Sequence, residues 1–323
     1  MAKLCAIEYY LPERIETNDD LAREFPEWRM DKIGKKTGIY QRHCAAPDEC
    51  ASDFAVYAAE KLFSSGVCRP EDVDYVLFCT QTPDYILPTT ACLIQHRLGV
   101  RKSAGALDFN LGCSGYIYGL SLAKGLIESG QCRNVLLLTA DTYTKLIKPS
   151  DRSVRCLFGD AGAASWITAD GQGLEIGSFV FGTDGSGADN LIAEASGFRH
   201  SSDFTQSCEL SMNGPEIFKF ALDTVPQCVR DLLDQEGVAQ DSIDLFVPHQ
   251  ANAHMLEYLR DKMGVTPNKF LVNMQNCGNT VSASIPIALR QSGRFIGSSQ
   301  SIPEKIIPIG FGVGYSWGAC FLS

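Results

Sequence analysis

Ala106-Leu107-Asp108-Phe109-Asn110-Leu111-Gly112-Cys113-Ser114-Gly115-Tyr116-Ile117-Tyr118 reads as an apolar strand that meets a glycine turn and opens into a helix. The helical segment runs from about Ser114 to Glu128 and carries apolar residues on every side: Tyr116, Ile117, Tyr118, Leu120, Leu122, Ala123, Leu126 and Ile127. A surface helix would show a single stripe, so this one is expected between two layers. The cysteine stands at the junction. A thiol there faces the free N–H groups and positive end of the helix, which predicts a pKa below the free value of about 8.5 and a nucleophilic role. It also has the character of one more small buried apolar residue.

The same pattern recurs later in the chain. Gly66-Val67 followed by Val73-Asp74-Tyr75-Val76-Leu77-Phe78 resembles Gly237-Val238 followed by Ile243-Asp244-Leu245-Phe246-Val247. Each leads to a helix that closes alike, on Arg97-Leu98-Gly99-Val100 and on Lys262-Met263-Gly264-Val265. Leu107–Ser114 then parallels Leu271–Thr280 as strand, Gly-containing turn and helix start. Asn134–Thr139 parallels Lys305–Ile309, and Phe158–Trp166 parallels Phe311–Trp317 as Gly-rich hairpins. Strands alternating with helices predict an α/β protein with mixed sheets. Two duplicated halves, 1–170 and 171–323, are expected about an approximate twofold axis, with the helix starts at Cys113 and Asn279 meeting near it.

Composition excludes several classes. A net charge of −10 lacks the basic face that general nucleic-acid binding needs. Local clusters at Lys32, Lys35, Lys36 and Arg42, and at Lys145, Lys148, Arg152 and Arg155, leave small anions possible, although solvated lysines are the plainer account. No apolar run approaches the roughly 18 to 20 residues of a membrane span. The 13 cysteines form no C-x-x-C pair and no zinc-like spacing, and Met1–Cys5 shows no signal-peptide pattern. Free thiols in a cytoplasmic setting, no metal and no membrane insertion are the expectations. His249 and His254 do not share a helix face, so this pair is not expected to chelate.

Two more segments look like active-site turns. Val247-Pro248-His249-Gln250-Ala251-Asn252 ends a strand with a histidine, where α/β sheets present ligands, and Asn276-Cys277-Gly278-Asn279-Thr280 opens the helix of the second half. With Asp108–Gly115, Gly310–Gly318, Tyr10-Leu11-Pro12-Glu13, Lys36-Thr37-Gly38-Ile39, Asp151-Arg152 and Phe158-Gly159-Asp160, these strings resemble the 3-oxoacyl-acyl-carrier-protein synthase III family of the thiolase superfamily over nearly the whole chain.

The resemblance implies a five-layered α-β-α-β-α thiolase-like fold, a homodimer, and a catalytic triad Cys113, His249 and Asn279. Cys113 would take an acyl group from coenzyme A or a phosphopantetheine carrier. His249 and Asn279 would donate to the enolate oxygen formed as a malonyl thioester decarboxylates, and the backbone N–H groups of Cys113 and Val313 would form a second oxyanion hole. Lys36, Thr37, Arg152, Phe158, Met212, Gly214, Phe218 and Asn252 are implied to bind substrate, with Leu87 bordering the acyl pocket across the dimer. The implied partners are acyl-CoA, a malonyl thioester and an acyl carrier protein, with no cofactor.

The chain departs from the family pattern at Lys32, where a tryptophan is common, at Lys36 for arginine, at His254, at Leu87 for phenylalanine, and at Val313, which replaces a glycine. A β-branched residue at Val313 is costly if that position needs positive φ. A specialised paralogue is therefore expected. Acyl transfer to an alcohol or amine, and a non-catalytic carrier-binding role, stand beside condensation; a papain-like hydrolase does not suit the duplicated order.

Overall fold

Strand Asn134–Asp141 is buried along almost its whole length, as its run of valine and leucines requires, and it organises the first half of the architecture. A computed structural model describes residues 1–199, 208–293 and 305–323. Nine strands hydrogen-bond in the order Gly105–Phe109, Tyr75–Cys79, Asn134–Asp141, Ala161–Thr168, Lys3–Tyr10, Leu174–Thr183, Ser316–Leu322, Ile306–Gly312, Leu245–Pro248. The first five and last four join where Lys3 faces Glu175 and Leu4 faces Leu174. Each group begins at its outer edge with parallel pairing and ends with antiparallel pairing.

Helices Ala51–Ser64 and Thr90–Arg97 pack on one group of strands, and Gly214–Glu236, with Ala253–Met263 beside it, packs on the other. Helices Gly115–Glu128 and Ser284–Gln291 lie between the two groups. Tyr116, Ile117, Leu120, Ile285 and Leu289 form the middle of a core that also holds Leu77 and Val247 from the two groups. The layers are therefore helix, sheet, helix, sheet, helix. The expected burial of the central helix holds for its first turns, while Leu122 farther along is exposed.

Three local expectations are corrected. The segment after Phe270 forms no strand beyond a single bridge between Phe246 and Phe270, because the Asn273 N–H donates to the Gln250 side chain (2.6 Å) in place of a ladder partner. Asn279 does not open a helix; a 3₁₀ turn, Val281–Ala283, intervenes before Ser284–Gln291. Phe158-Gly159 is no hairpin either. It bridges to Asn279, with the Gly159 N–H donating to the Asn279 carbonyl at 3.0 Å.

Candidate active site

The nucleophile candidate is placed by a tight approach of two glycines. Strand Gly105–Phe109 ends, Gly112 turns, and the Gly115 N–H closes onto the Gly112 carbonyl at 2.8 Å as the helix begins. A Cβ on Gly312 would stand 2.8 Å from Cys113 Cβ and 3.0 Å from its Sγ, so the strand from the other half runs directly against the thiol.

His249 follows strand Leu245–Pro248, and its N–H donates to the Ile309 carbonyl at 2.7 Å. Its Nδ1 lies 2.7 Å from Ser284 Oγ, which also accepts the Gln250 N–H at 3.4 Å. The Ser284 hydroxyl keeps its hydrogen to donate to Nδ1, and in that tautomer the ring proton sits on Nε2. Burial depresses the His249 pKa to about 3, so the imidazole is neutral.

Asn279 is clamped between chain segments. Its N–H donates to the Leu157 carbonyl (2.9 Å), and its Oδ1 accepts the Val281 N–H at 3.0 Å. That bond commits the oxygen and leaves the side-chain NH₂ as the free donor. Gly278 takes φ 73°, where an added Cβ would also press on the Leu157 carbonyl. Val281 holds φ 51°, a strained conformation for a β-branched residue costing about 1–3 kcal/mol, supported by this clamp.

Cys113, His249 and Asn279 line one cavity of about 720 Å³. They are buried, whereas Lys36 and Arg152 on the same cavity are exposed, so the triad lies deep and the cations lie at the mouth. Thr37, Phe158, Met212, Gly214, Phe218 and Asn252 line it as well. Asn252 has a second duty, capping helix Ala253–Met263 through the Met255 N–H at 2.9 Å. At the mouth Phe218 stacks on His254 at 5.7 Å, with Tyr258 edge-on to both.

Leu87 is not brought to this cavity; it is 79% exposed within the single chain. Val313 also lies outside the lining, yet its side chain packs toward Gly112, beside the nucleophile. It does not occupy positive φ. Val281 is the one non-glycine residue there among the described residues, and Gly314 takes the turn at 135°, so Val313 avoids the expected cost.

The expected fall in the Cys113 pKa is corrected. Burial, and secondarily the charge of Asp141, push this thiol up to about 12. Desolvation outweighs the helix start, because Cys113 precedes the cap residue Ser114 and is nearly sealed from water. The iodoacetamide alkylation rate of the free protein at Cys113 is accordingly expected to climb past pH 10. A plateau near pH 7 would show that the helix start dominates.

Two residues escaped sequence reasoning. Ser284 orients His249, and Asp141 ties both halves together by accepting the Gln81 N–H (2.8 Å) and the Ser282 N–H (3.2 Å) and hydroxyl. Burial pushes Asp141 up to about 7. Their signal was a polar residue inside, or closing, an otherwise apolar element: Ser284 in Ser-Ile-Pro-Ile-Ala-Leu, Asp141 after Val-Leu-Leu-Leu-Thr-Ala.

Comparison with known proteins shows the family and the fold. Residues 107–185 match the family model for 3-oxoacyl-[acyl-carrier-protein] synthase III, and residues 233–323 match that for its C-terminal region. The beta-ketoacyl-[acyl-carrier-protein] synthase III of Clostridium perfringens (strain ATCC 13124) is 37% identical over 99% of this chain and 98% of its own. A crystal structure of a 3-oxoacyl-(acyl-carrier-protein) synthase III superposes with a TM-score of 0.94 at 49% identity, covering 99% of both chains. The priming beta-ketosynthase of the R1128 polyketide pathway superposes at 0.89 with 30% identity over 100% of this chain and 96% of that one. The fold is thiolase-like, and the chain belongs to the 3-oxoacyl-[acyl-carrier-protein] synthase III family.

Proposed function

We infer that this chain is a condensing enzyme that loads an acyl group from an acyl thioester onto Cys113 and joins it, with loss of carbon dioxide, to a malonyl-type thioester. The product is a 3-oxoacyl thioester. The observation that carries this reading is the convergence of a thiol, an imidazole whose Nδ1 is engaged by Ser284 and a carboxamide NH₂ at the buried end of one cavity. In the first step the donor's C–S bond breaks, a C–S bond forms at Cys113, and the thiol proton leaves with the departing thiolate. In the second, the malonyl carboxylate departs as carbon dioxide and its electron pair moves onto the thioester oxygen. His249 and Asn279 donate to that oxygen, and the carbanion then attacks the acyl-cysteine carbonyl. The N–H groups of Cys113 and Val313 receive the oxyanion formed there, and its collapse breaks the acyl C–S bond, releasing the 3-oxoacyl thioester and a Cys113 thiolate that takes up a proton from solvent.

The burial of this end gives the two donors their strength, since no water competes and no reorganisation is needed. Exposed Lys36 and Arg152 suit the phosphates of coenzyme A or phosphopantetheine, while exposed Lys32 offers no ring for stacking. Acyl-CoA, a malonyl thioester and an acyl carrier protein are thus the proposed partners, with no cofactor. The 1–170 and 171–323 halves would contribute nucleophile and donors respectively. Among the described residues no helix is long and apolar enough to cross a membrane. The 13 free thiols favour a cytoplasmic site.

Transfer to an alcohol or amine would use the same cysteine, so the deciding test is carbon dioxide. Acylated enzyme should release label from a carboxyl-labelled malonyl thioester; discharge to an alcohol or amine with the malonyl thioester intact would reject condensation.

We also propose a homodimer. Tyr85, Ile86 and Leu87 are 61%, 70% and 79% exposed in succession, and the neighbouring edge strand Gly105–Phe109 has a free side. Light scattering at micromolar concentration should give twice the chain mass of 35.2 kDa. A monomer alone would remove Leu87 from the pocket.

A further inference from the structure

The N–H of Val313 sits on a hairpin turn, and its aim is only as good as the hold on that turn. Gly312 and Ser316 face each other across the ladder of strands Ile306–Gly312 and Ser316–Leu322, with the turn between them. Gly312 is pressed against Cys113, and a Cβ on Gly310 would stand 2.6 Å from Ser114 Cα, so the hairpin runs along the start of the nucleophile helix. Close approach alone sets no direction for the Val313 peptide. Two hydroxyls do. Ser316 donates its hydroxyl hydrogen to the Val313 carbonyl at 3.1 Å and lies 2.5 Å from the hydroxyl of Ser114, the residue after the nucleophile. Because the Ser316 hydrogen goes to the carbonyl, Ser114 is the donor within the pair. Both serines are buried, at 1% and 4% exposure for Ser114 and Ser316. Ser114 is also the cap residue of helix Gly115–Glu128, where a serine ordinarily accepts from an N–H of the first turn, yet its hydroxyl makes no such bond. That hydroxyl is spent across the two halves of the fold instead of on its own helix.

We propose that Ser114 and Ser316 are positioning residues: their hydrogen-bonded chain latches the hairpin turn to the nucleophile turn and so keeps the Val313 N–H trained, with the Cys113 N–H, on the carbonyl oxygen at Cys113. This rests on the condensing reading above and adds two residues to it. Neither serine lines the cavity, so both act through the backbone. His249 and Asn279 are held by Ser284, Leu157 and Val281, none of which belongs to the latch. Cutting the latch therefore weakens the tetrahedral intermediates of loading and condensation while the enolate site stays whole. Decarboxylation then outruns carbon–carbon bond formation. The malonyl thioester loses carbon dioxide, its carbanion takes a proton from solvent, and an acetyl thioester departs while the acyl group stays on Cys113.

The test is coupling, measured as carbon dioxide released against 3-oxoacyl product formed, beside the loading rate from intact-protein mass spectrometry. Donors are acetyl-, butyryl- and octanoyl-CoA, and acceptors are the malonyl thioesters of coenzyme A and of an acyl carrier protein. Wild type should give carbon dioxide and product in equal amounts. Ser316→Ala should slow saturated loading about tenfold with KM unchanged, and raise carbon dioxide over product about threefold or more. Ser114→Ala leaves the bond from Ser316 to the Val313 carbonyl and should move both readouts less. The double variant should go no further than Ser316→Ala, because the chain is already cut. Ser316→Thr keeps the hydroxyl on a strand that suits a β-branched residue and should restore coupling. Equal amounts of carbon dioxide and product in folded Ser316→Ala overturn the latch, even where the rate falls in step with melting temperature, since a merely structural role gives that result. Ser114→Ala decides in the same way should Ser316→Ala fail to fold. Wild type that forms neither acyl-cysteine nor carbon dioxide with any of these thioesters would instead defeat the condensing reading.

Discussion

Cys113→Ala is expected to show no acyl adduct after exposure to a cognate acyl thioester, where wild type gains one acyl mass. Peptide mapping should place that mass on Cys113 and on none of the other twelve thiols. The competitor to watch is Cys156, because it lines the same cavity. Its Sγ–H is already committed to the Arg152 carbonyl at 2.9 Å, which ties its proton to the turn that carries it. Cys92, the exposed thiol, is a useful control for nonspecific acylation. The loss should be complete within detection, since an alanine offers no nucleophile to take the acyl group. Acyl mass on Cys156, or adducts persisting in the variant, would move the nucleophile.

Asn279→Ala separates the two half-reactions. Acyl-enzyme should still accumulate, because loading Cys113 creates no enolate. Carbon dioxide release should fall on the order of 10²- to 10³-fold, the effect of removing one preorganised oxyanion donor. Alanine also abandons the bond from the Val281 N–H, and a damaged turn could imitate a chemical defect. Asn279→Asp answers that objection: it keeps an oxygen for Val281 but presents a second oxygen where the NH₂ stood. Both variants should therefore be slow, while thermal melting should show the aspartate variant closer to wild type. Full decarboxylation in either would show that the enolate does not form between His249 and Asn279.

Much of this was legible in the chain. The repeated strand–turn–helix order of Val73–Val100 and Ile243–Val265 carried the layered α/β architecture, because apolar runs and glycine turns act locally. It did not carry the segment after Phe270, where a glutamine side chain 23 residues away takes the backbone donor that a strand would have used. Cys113, His249 and Asn279 stood out as polar or reactive residues at element junctions, and they line one cavity. The acidity of the thiol was misjudged for a physical reason: a helix start is visible in sequence, but the burial that opposes it is a sum over distant neighbours such as Asp141 and Gly312. Ser284 and Ser316 escaped for the same cause, since each acquires meaning from one contact, with His249 or with Ser114.

The placement of the hairpin Ile306–Gly312 and Ser316–Leu322 bears on how the molecule comes into being. These strands sit between Leu245–Pro248 and Leu174–Thr183 and cover the inner face of helix Gly115–Glu128, yet they are made after all of them. A nascent chain lacking them has no second sheet, because its remaining two strands are not neighbours. Tyr116, Ile117 and Leu120 then face water on one side, and nothing presses on Cys113 where Gly312 will stand. The first five strands can assemble on the ribosome, but this apolar helix must wait, exposed to chaperones or to other chains, until the hairpin emerges and slides into the gap. Closure of the catalytic pocket is thereby coupled to the end of synthesis of this hairpin, and an interrupted translation product carries an open, sticky helix and no enzyme.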